Sequence, residues 1–265
     1  MLSRLLPIPL LALLASAISP QNTTQDCQTH HYTTYIFSAD PLIIYIPNFI
    51  TRTEAAHLRS ISAGKFSYSQ IADSSGQQHL ANTRNSQSAS LESDNIVRCI
   101  EERALAFQGF DTRRESLEPL QLVAYGPSQS YHVHTDWFTS PSQATPEFGG
   151  NRLSSFFVYV HASDDIVGGG TQFPLLDAPV DERWCDYIDC NAQLDDGVVF
   201  RPVKGSAVFW RNLKSVERIE GGEIVREYVG DRKTVHAGLP VQRGAKVGMN
   251  IWTREGVLDE KYRSG

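Results

Sequence analysis

No stretch of this chain is strongly basic. Lysine and arginine number 24 against 30 acidic residues, and the two signs are interspersed. Phosphate binding calls for a clustered basic face, so nucleic acid is excluded as the main partner. No internal repeat is visible, and no biased linker after residue 40 divides the chain. The longest apolar run, Leu5 to Ile18, carries Pro7 and Pro9 and falls short of the roughly 20 residues a spanning helix needs. Cysteine is scarce: Cys27, Cys99, Cys185 and Cys190, without the C-x2-C pair that would argue for zinc. Helical periodicity also stops after residue 109.

What is present starts with an address. Met1-Leu2-Ser3-Arg4, the short apolar run and Ala15-Ser16-Ala17 predict a signal peptide over residues 1–17. An uncleaved single-pass anchor is the alternative, and only then would a membrane be a partner. Asn22-Thr23-Thr24 is an N-glycosylation acceptor. Residues 18–40 read as a polar segment and residues 41–265 as one domain; the 41% hydrophobic content of the whole chain suffices for a real core. The last four residues are not a KDEL-type retention signal, so the expectation is the endoplasmic reticulum lumen or secretion. An even cysteine count in a secretory chain suggests disulfides. Cys185 and Cys190 could close a small loop and leave Cys27 with Cys99, although connectivity stays open, as do free buried thiols.

Leu42–Ile46 reads as a strand, and Thr51-Arg52-Thr53-Glu54 as a capping box opening a helix that ends by Gly64. Residues 67–90, rich in Ser, Gln and Asn, read as loop or ragged strands. Ser93 is placed as the cap of a second helix through Ile96, Ile100 and Ala104, stopping at Gly109. Short runs rich in Val, Phe, Tyr and Thr follow: 120–125, 131–134, 153–160, 171–173, 198–201, 206–210, 224–229, 234–237 and 246–253. Many short strands between turn signals predict a mainly β fold, a sandwich or jelly roll with two flanking helices.

The chemistry is organised around Tyr131-His132-Val133-His134-Thr135-Asp136-Trp137. His134 and Asp136, two residues apart on an extended chain, leave the same face. An imidazole and a carboxylate so placed can share a metal, and a third ligand would complete the 2-His-1-carboxylate triad of non-haem Fe(II) oxygenases. His236 is the candidate third ligand, because a turn after it leads into Lys246–Trp252. On that strand Lys246, Gly248, Asn250 and Trp252 share one face, opposite Val247, Met249 and Ile251.

These stretches resemble the prolyl 4-hydroxylase branch of the 2-oxoglutarate- and Fe(II)-dependent dioxygenases. The resemblance runs over about residues 45–254. It is carried by Thr83–Ser86, Leu120–Gly126, Tyr131–Asp136, Gly169–Pro174, Gly205–Trp210 and His236–Val241, with Lys246 and Trp252. It implies a double-stranded β-helix core that hydroxylates peptidyl proline while 2-oxoglutarate is decarboxylated to succinate and CO2. Fe(II), 2-oxoglutarate and O2 are implied, with ascorbate as a family trait. The implied iron ligands are His134, Asp136 and His236. Lys246 is implied to pair with the distal carboxylate of 2-oxoglutarate, Tyr125 to support it and Thr171 to line its pocket. Tyr131 and Trp252 are implied to face the peptide. Straight alternation puts Tyr131 on the face opposite His134, so that role needs a local bend; His132 falls on the ligands' face and has no assigned role. The Asp136–His236 spacing is longer than in many relatives, through Pro179–Asp196 and Lys214–Asp231. Such loops near a site set substrate choice. The same chemistry on another residue or a small metabolite, and a jelly-roll binding module without catalysis, are the competing readings.

Overall fold

Large apolar residues point to both sides of the strand Arg152–Ala162. Phe156, Val158 and Val160 face one core, while Phe157 and Tyr159 face another. A strand buried on both faces belongs at the centre of a layered structure. It lies fourth in an antiparallel eight-stranded sheet ordered Tyr35–Ala39, Leu42–Ile46, Ala207–Arg211, Arg152–Ala162, Lys246–Arg254, Gln121–Tyr125, Gln87–Ser90 and Ser67–Tyr68. A four-stranded sheet, Val198–Phe200, Thr171–Phe173, His236–Gly238 and Tyr131–His134, is the second layer. The fold is a jelly roll. This computed structural model describes residues 27, 29–72, 77–109, 111–193 and 196–263; the expected signal segment 1–17 and the acceptor Asn22 lie outside the described residues.

Helices α1 (Arg52–Ile61) and α2 (Asn95–Gln108) cover the outer face of the large sheet. Their Leu58, Val97, Ile100 and Ala104 join Phe156, Val158, Met249 and Ile251 in the outer core. Between the sheets, Tyr45, Val123, Phe157, Tyr159, Phe173, Phe200 and Trp210 form the inner core. The capping box at Thr51 and Glu54 forms as expected. The cap of α2 is Asp94 rather than Ser93: its carboxylate accepts from the amide of Val97, and an ionised oxygen is the stronger acceptor. The strand expected over 234–237 begins only at His236. Asp231 accepts from the amide of Lys233 and the hydroxyl of Thr234 donates to its carbonyl, holding Arg232–Thr234 in a 3-10 turn. Such short side chains compete with the ladder for backbone groups.

The described residues before 41 are mostly exposed but are tied to the domain. Tyr35–Ala39 adds the outer strand of the large sheet, and Tyr32 packs 5.8 Å from Phe49 by ring centroids. Cys27 is bonded to Cys99 on α2, and Cys185 to Cys190. The second bridge closes an insertion whose Trp184 and Tyr187 lie against Phe37 and Tyr45. Among the described residues no helix is long and apolar enough to cross a membrane.

The two bridges constrain loops of unequal size, spanning 72 and 5 residues. Removing the longer one as Cys27→Ser/Cys99→Ser is expected to cost about 2–4 kcal/mol, and the shorter one less, because loop-closure entropy grows with span. Urea unfolding of each double variant checks the order.

Candidate active site

The Tyr131–His134 strand pairs with His236–Gly238, and the pairing has a bulge. His134 lies opposite His236 and Tyr131 opposite Gly238, so the first strand carries one residue more between these rungs. A bulge of this kind redirects side chains. It supplies the bend that Tyr131 needed: its ring stacks on His134 with centroids 3.6 Å apart. It also turns His132 outward, exposed, contrary to the alternation.

His134, Asp136 and His236 converge, each offering a ligand atom within 4.8 Å of the others. Nε2 of His134 is 3.9 Å from Oδ1 of Asp136, and Nε2 of His236 is 3.8 Å from Oδ2. Each imidazole spends its other nitrogen on the carbonyl two residues earlier: His134 Nδ1 on His132 at 2.7 Å, His236 Nδ1 on Thr234 at 3.0 Å. A carbonyl can only accept, so both Nδ1 atoms carry a proton, and both Nε2 atoms are turned toward Asp136. Burial, then the neighbouring His236, hold His134 well below the usual imidazole value and thus neutral. Trp210 and Phe173 wall the His236 ring.

Burial alone would raise the Asp136 carboxyl. His236, Arg152, His134 and the Ser155 hydroxyl together outweigh it and keep the group ionised. Its Oδ2 accepts from Ser155 Oγ at 2.6 Å and from Trp252 Nε1 at 3.0 Å. Neither bond uses Oδ1, which stays available as a single ligand atom. Asn212 Nδ2 donates to Ser155 Oγ at 2.9 Å, and Trp210 Nε1 donates to Asn212 at 2.8 Å, so the serine's orientation is itself fixed. Trp252 thus has a second task besides lining the cavity: its N–H is committed to Asp136, and the Arg152 guanidinium lies 3.7 Å from its ring centroid.

Lys246 is 1% exposed. It pairs across strands with Tyr125, and its ammonium lies 4.6 Å from that ring's centroid and 5.5 Å from that of Phe157. It donates to the carbonyl of Gly169. Among the described residues no carboxylate lies within ion-pair distance of it. Burial lowers its pKa to about 7. A buried cation without a counter-charge is costly, and an incoming carboxylate would relieve that cost. Thr171, 3% exposed, shares a 2.6 Å hydrogen bond with Tyr159.

A cavity of about 750 Å³ opens onto these groups, lined among others by Tyr125, Tyr131, His134, Asp136, Thr171 and Trp252. Lys246 stands just behind that wall, beyond Tyr125 and Phe157. Sequence reading missed several wall residues. Arg152 grips Glu118 through two bonds of 2.7 and 2.8 Å, and Arg254 binds the same carboxylate. Arg84, within the Thr83–Ser86 motif but without an assigned role there, lies over Tyr131, 4.7 Å from its centroid. For Ser155 a signal existed, because it alternates in phase with Phe157 and Tyr159 on the inner face. The cysteine-bearing insertion supplies none of the described lining.

The donor set suits a divalent metal with N/O preference, and the unpaired lysine suits a carboxylate cosubstrate. Binding of 2-oxoglutarate at pH 8 is expected to take up a proton, because Lys246, largely neutral above about pH 7, is charged once paired. Its affinity should fall as pH rises from 7 to 9. In the unliganded protein the unfolded chain holds this proton up to about pH 10.5, so folding stability should rise with pH between about 7 and 10.5. Titration calorimetry in two buffers of different ionisation enthalpy measures the uptake; its persistence in Lys246→Met would sink the assignment.

Comparison with known proteins agrees with this geometry. The pattern of the 2OG-Fe(II) oxygenase superfamily matches residues 120–254, just over half of the 265 residues. The prolyl 4-hydroxylase subunit alpha-2 of Gallus gallus is 29% identical over 218 residues, 81% of this chain and 34% of the relative. Prolyl 4-hydroxylase 1 of Arabidopsis thaliana is 26% identical over 225 residues, 83% of this chain and 71% of the relative. The chain thus spans about a third of the alpha-subunit relative. Among solved structures, a viral collagen prolyl hydroxylase from Paramecium Bursaria Chlorella virus-1, determined with 2OG, aligns at TM-score 0.51 and 22% identity, covering 86% of this chain and 98% of that one. A Trichoplax adhaerens prolyl hydroxylase, determined with a hypoxia inducible factor peptide, aligns at TM-score 0.51 and 16% identity, covering 83% and 85%. These two likenesses speak for the fold. By the match across its jelly-roll core and the donor set inside it, this chain belongs to the 2OG-Fe(II) oxygenase superfamily.

Proposed function

We propose that the chain is a 2-oxoglutarate- and Fe(II)-dependent dioxygenase that hydroxylates prolyl residues of a peptide or protein. The observation that carries this reading is one buried cluster: two imidazoles whose Nδ1 atoms are bonded to carbonyls and whose Nε2 atoms face Asp136, one carboxylate oxygen free, and a lysine without a counter-charge close behind. In the proposed roles, His134, Asp136 and His236 hold Fe(II). The metal, with 2-oxoglutarate and O2, supplies oxidative decarboxylation to succinate and CO2, the second oxygen atom entering a substrate C–H bond as hydroxyl.

The chain's own residues do the positioning. The two Nδ1 bonds keep both imidazoles in the ligating tautomer. Ser155 and Trp252 hold Asp136 through one oxygen, which would leave the other for the metal. Lys246 meets the distal carboxylate of 2-oxoglutarate, with Tyr125 and Thr171 beside it. Tyr131, flat on His134, offers an aromatic face to a proline ring, which has no N–H to be read. The prolyl assignment draws on the names of the relatives; the metal and cosubstrate roles draw on geometry. Two disulfides fit a secretory route, in line with the expected leader.

Purified protein given Fe(II), 2-oxoglutarate and proline-rich peptides should add one oxygen atom to proline, with matching succinate; mass spectrometry reads both. His236→Ala should lose more than about 100-fold in turnover, since even outer-shell changes cost about 10–100-fold. By the same rule Ser155→Ala should weaken Co(II) or Fe(II) binding about 10–100-fold while the fold persists. Unchanged metal affinity in Ser155→Ala, measured by equilibrium dialysis, would remove the serine from this role.

A further inference from the structure

The long insertion between Asn212 and Asp231 forms a two-stranded hairpin, Leu213–Glu220 with Glu223–Gly230, turned by Gly221 and Gly222. Both glycines have positive φ, 61° and 92°, as a two-residue hairpin turn requires. Eight paired residues per strand give a ribbon about 27 Å long at about 3.4 Å per residue. Its root is tied to the active site twice. The amide of Asp231 donates to the carbonyl of Asn212 at 2.8 Å, and the Asn212 side chain donates to Ser155, which holds Asp136. Gly230 lies against Trp137: a Cβ at this position would sit 2.2 Å from the indole. Trp137 lines the cavity.

The side of the ribbon that meets Trp137 can be followed outward by alternation and register. Gly230, Tyr228, Arg226 and Ile224 share it with Leu213, Ser215, Glu217 and Ile219. Tyr228 is 57% exposed, Ile224 68% and Ile219 79%. The one charged pair on this side, Arg226 with Glu217 at 2.8 Å, is mutually neutralised. Isolated exposed apolar residues are ordinary. Here they form a row that starts at the cavity wall and contributes nothing to either core, the arrangement expected of a surface covered by a partner.

We propose that this hairpin is a substrate arm, whose Tyr228, Ile219 and Ile224 face binds the residues that flank the target residue in an extended, apolar or proline-rich polypeptide. The inference rests on the reading of the substrate as a polypeptide. The occupant follows from continuity: the row extends the wall of the cavity in which the target residue would sit. Ile224, six residues beyond Gly230, lies about 20 Å further out, so a substrate needs about six extended residues beyond its target to reach it. An aromatic ring followed by aliphatic side chains suits such a chain, and proline-rich segments dock on aromatic-lined surfaces.

The test compares labelled proline peptides of about five and about 15 residues, which fall short of and span the arm, by fluorescence anisotropy on the full chain. Two variants are used: Tyr228→Ser/Ile219→Ser/Ile224→Ser, and replacement of residues 213–230 by two glycines, feasible because Asn212 and Asp231 are already hydrogen-bonded. Succinate formed without peptide, equal to that of the unaltered protein, certifies folding. The long peptide is expected to bind about tenfold tighter than the short one, and both variants should abolish that difference while leaving the short peptide unchanged. Equal affinity for both lengths, or a triple variant indistinguishable from the parent, overturns the arm. So does light scattering that shows a dimer becoming a monomer on excision, since the face would then join two copies. Mass spectrometry separates the two readings. Oxygen on another residue with length dependence kept sinks the prolyl assignment alone; oxygen on proline without length dependence sinks the arm alone. If neither peptide binds, both fall.

Discussion

A carboxylate taken out of water must be given donors, and Asp136 shows how this protein supplies them. The residue follows the end of a strand of the small sheet. Its two donors, Ser155 and Trp252, come from the two central strands of the large sheet. The bonds that satisfy the charge therefore also fasten the two layers together at the cavity floor. Hydrogen bonds to an ionised group are shorter and about twice as strong as neutral ones. The remaining oxygen faces His134, and His236 stands nearest the bonded one; both imidazoles are held from behind by backbone carbonyls. Architecture and ligand geometry here have the same cause.

The neighbouring wall follows related logic. Glu118 is shared between Arg152 and Arg254, and both guanidiniums lie over Phe138, Arg152 over Trp252 as well. Breaking one partner of a buried pair typically costs about 3–5 kcal/mol, because the survivor is stranded. Such a wall stays put when substrate arrives. Lys246 is the opposite case, a charge left without its partner on a strand that is otherwise well packed.

Much of this was readable in the residues, and the failures have physical reasons. His134 and Asp136 were legible because period 2 is a rigid rule over two residues. The rule failed over three, at Tyr131 and His132, because one bulge shifts the phase and leaves no local mark in composition. His236 and Lys246 came into view only through extended motifs, as their convergence with His134 depends on how two sheets stack. The bond from Trp252 to Asp136 was hidden for the same reason: alternation gives the face but not which group waits opposite. Residues 35–39, Tyr-Ile-Phe-Ser-Ala, read with the polar stretch ahead of them although they are mostly apolar; Tyr35 and Phe37 meet Tyr187 and Trp184 of a distant insertion. The second helix cap was off by one position, since serine and aspartate are both good caps and only the backbone decides between them.

The bridge from Cys27 to Cys99 fixes a direction. It pins the N-terminal segment to α2, on the outer face of the large sheet, whereas the cavity opens on the inner face. A pull applied at Cys27 is therefore passed through the bridge to α2 as well as along the chain to Tyr35–Ala39, both outside the small sheet that carries His134 and His236.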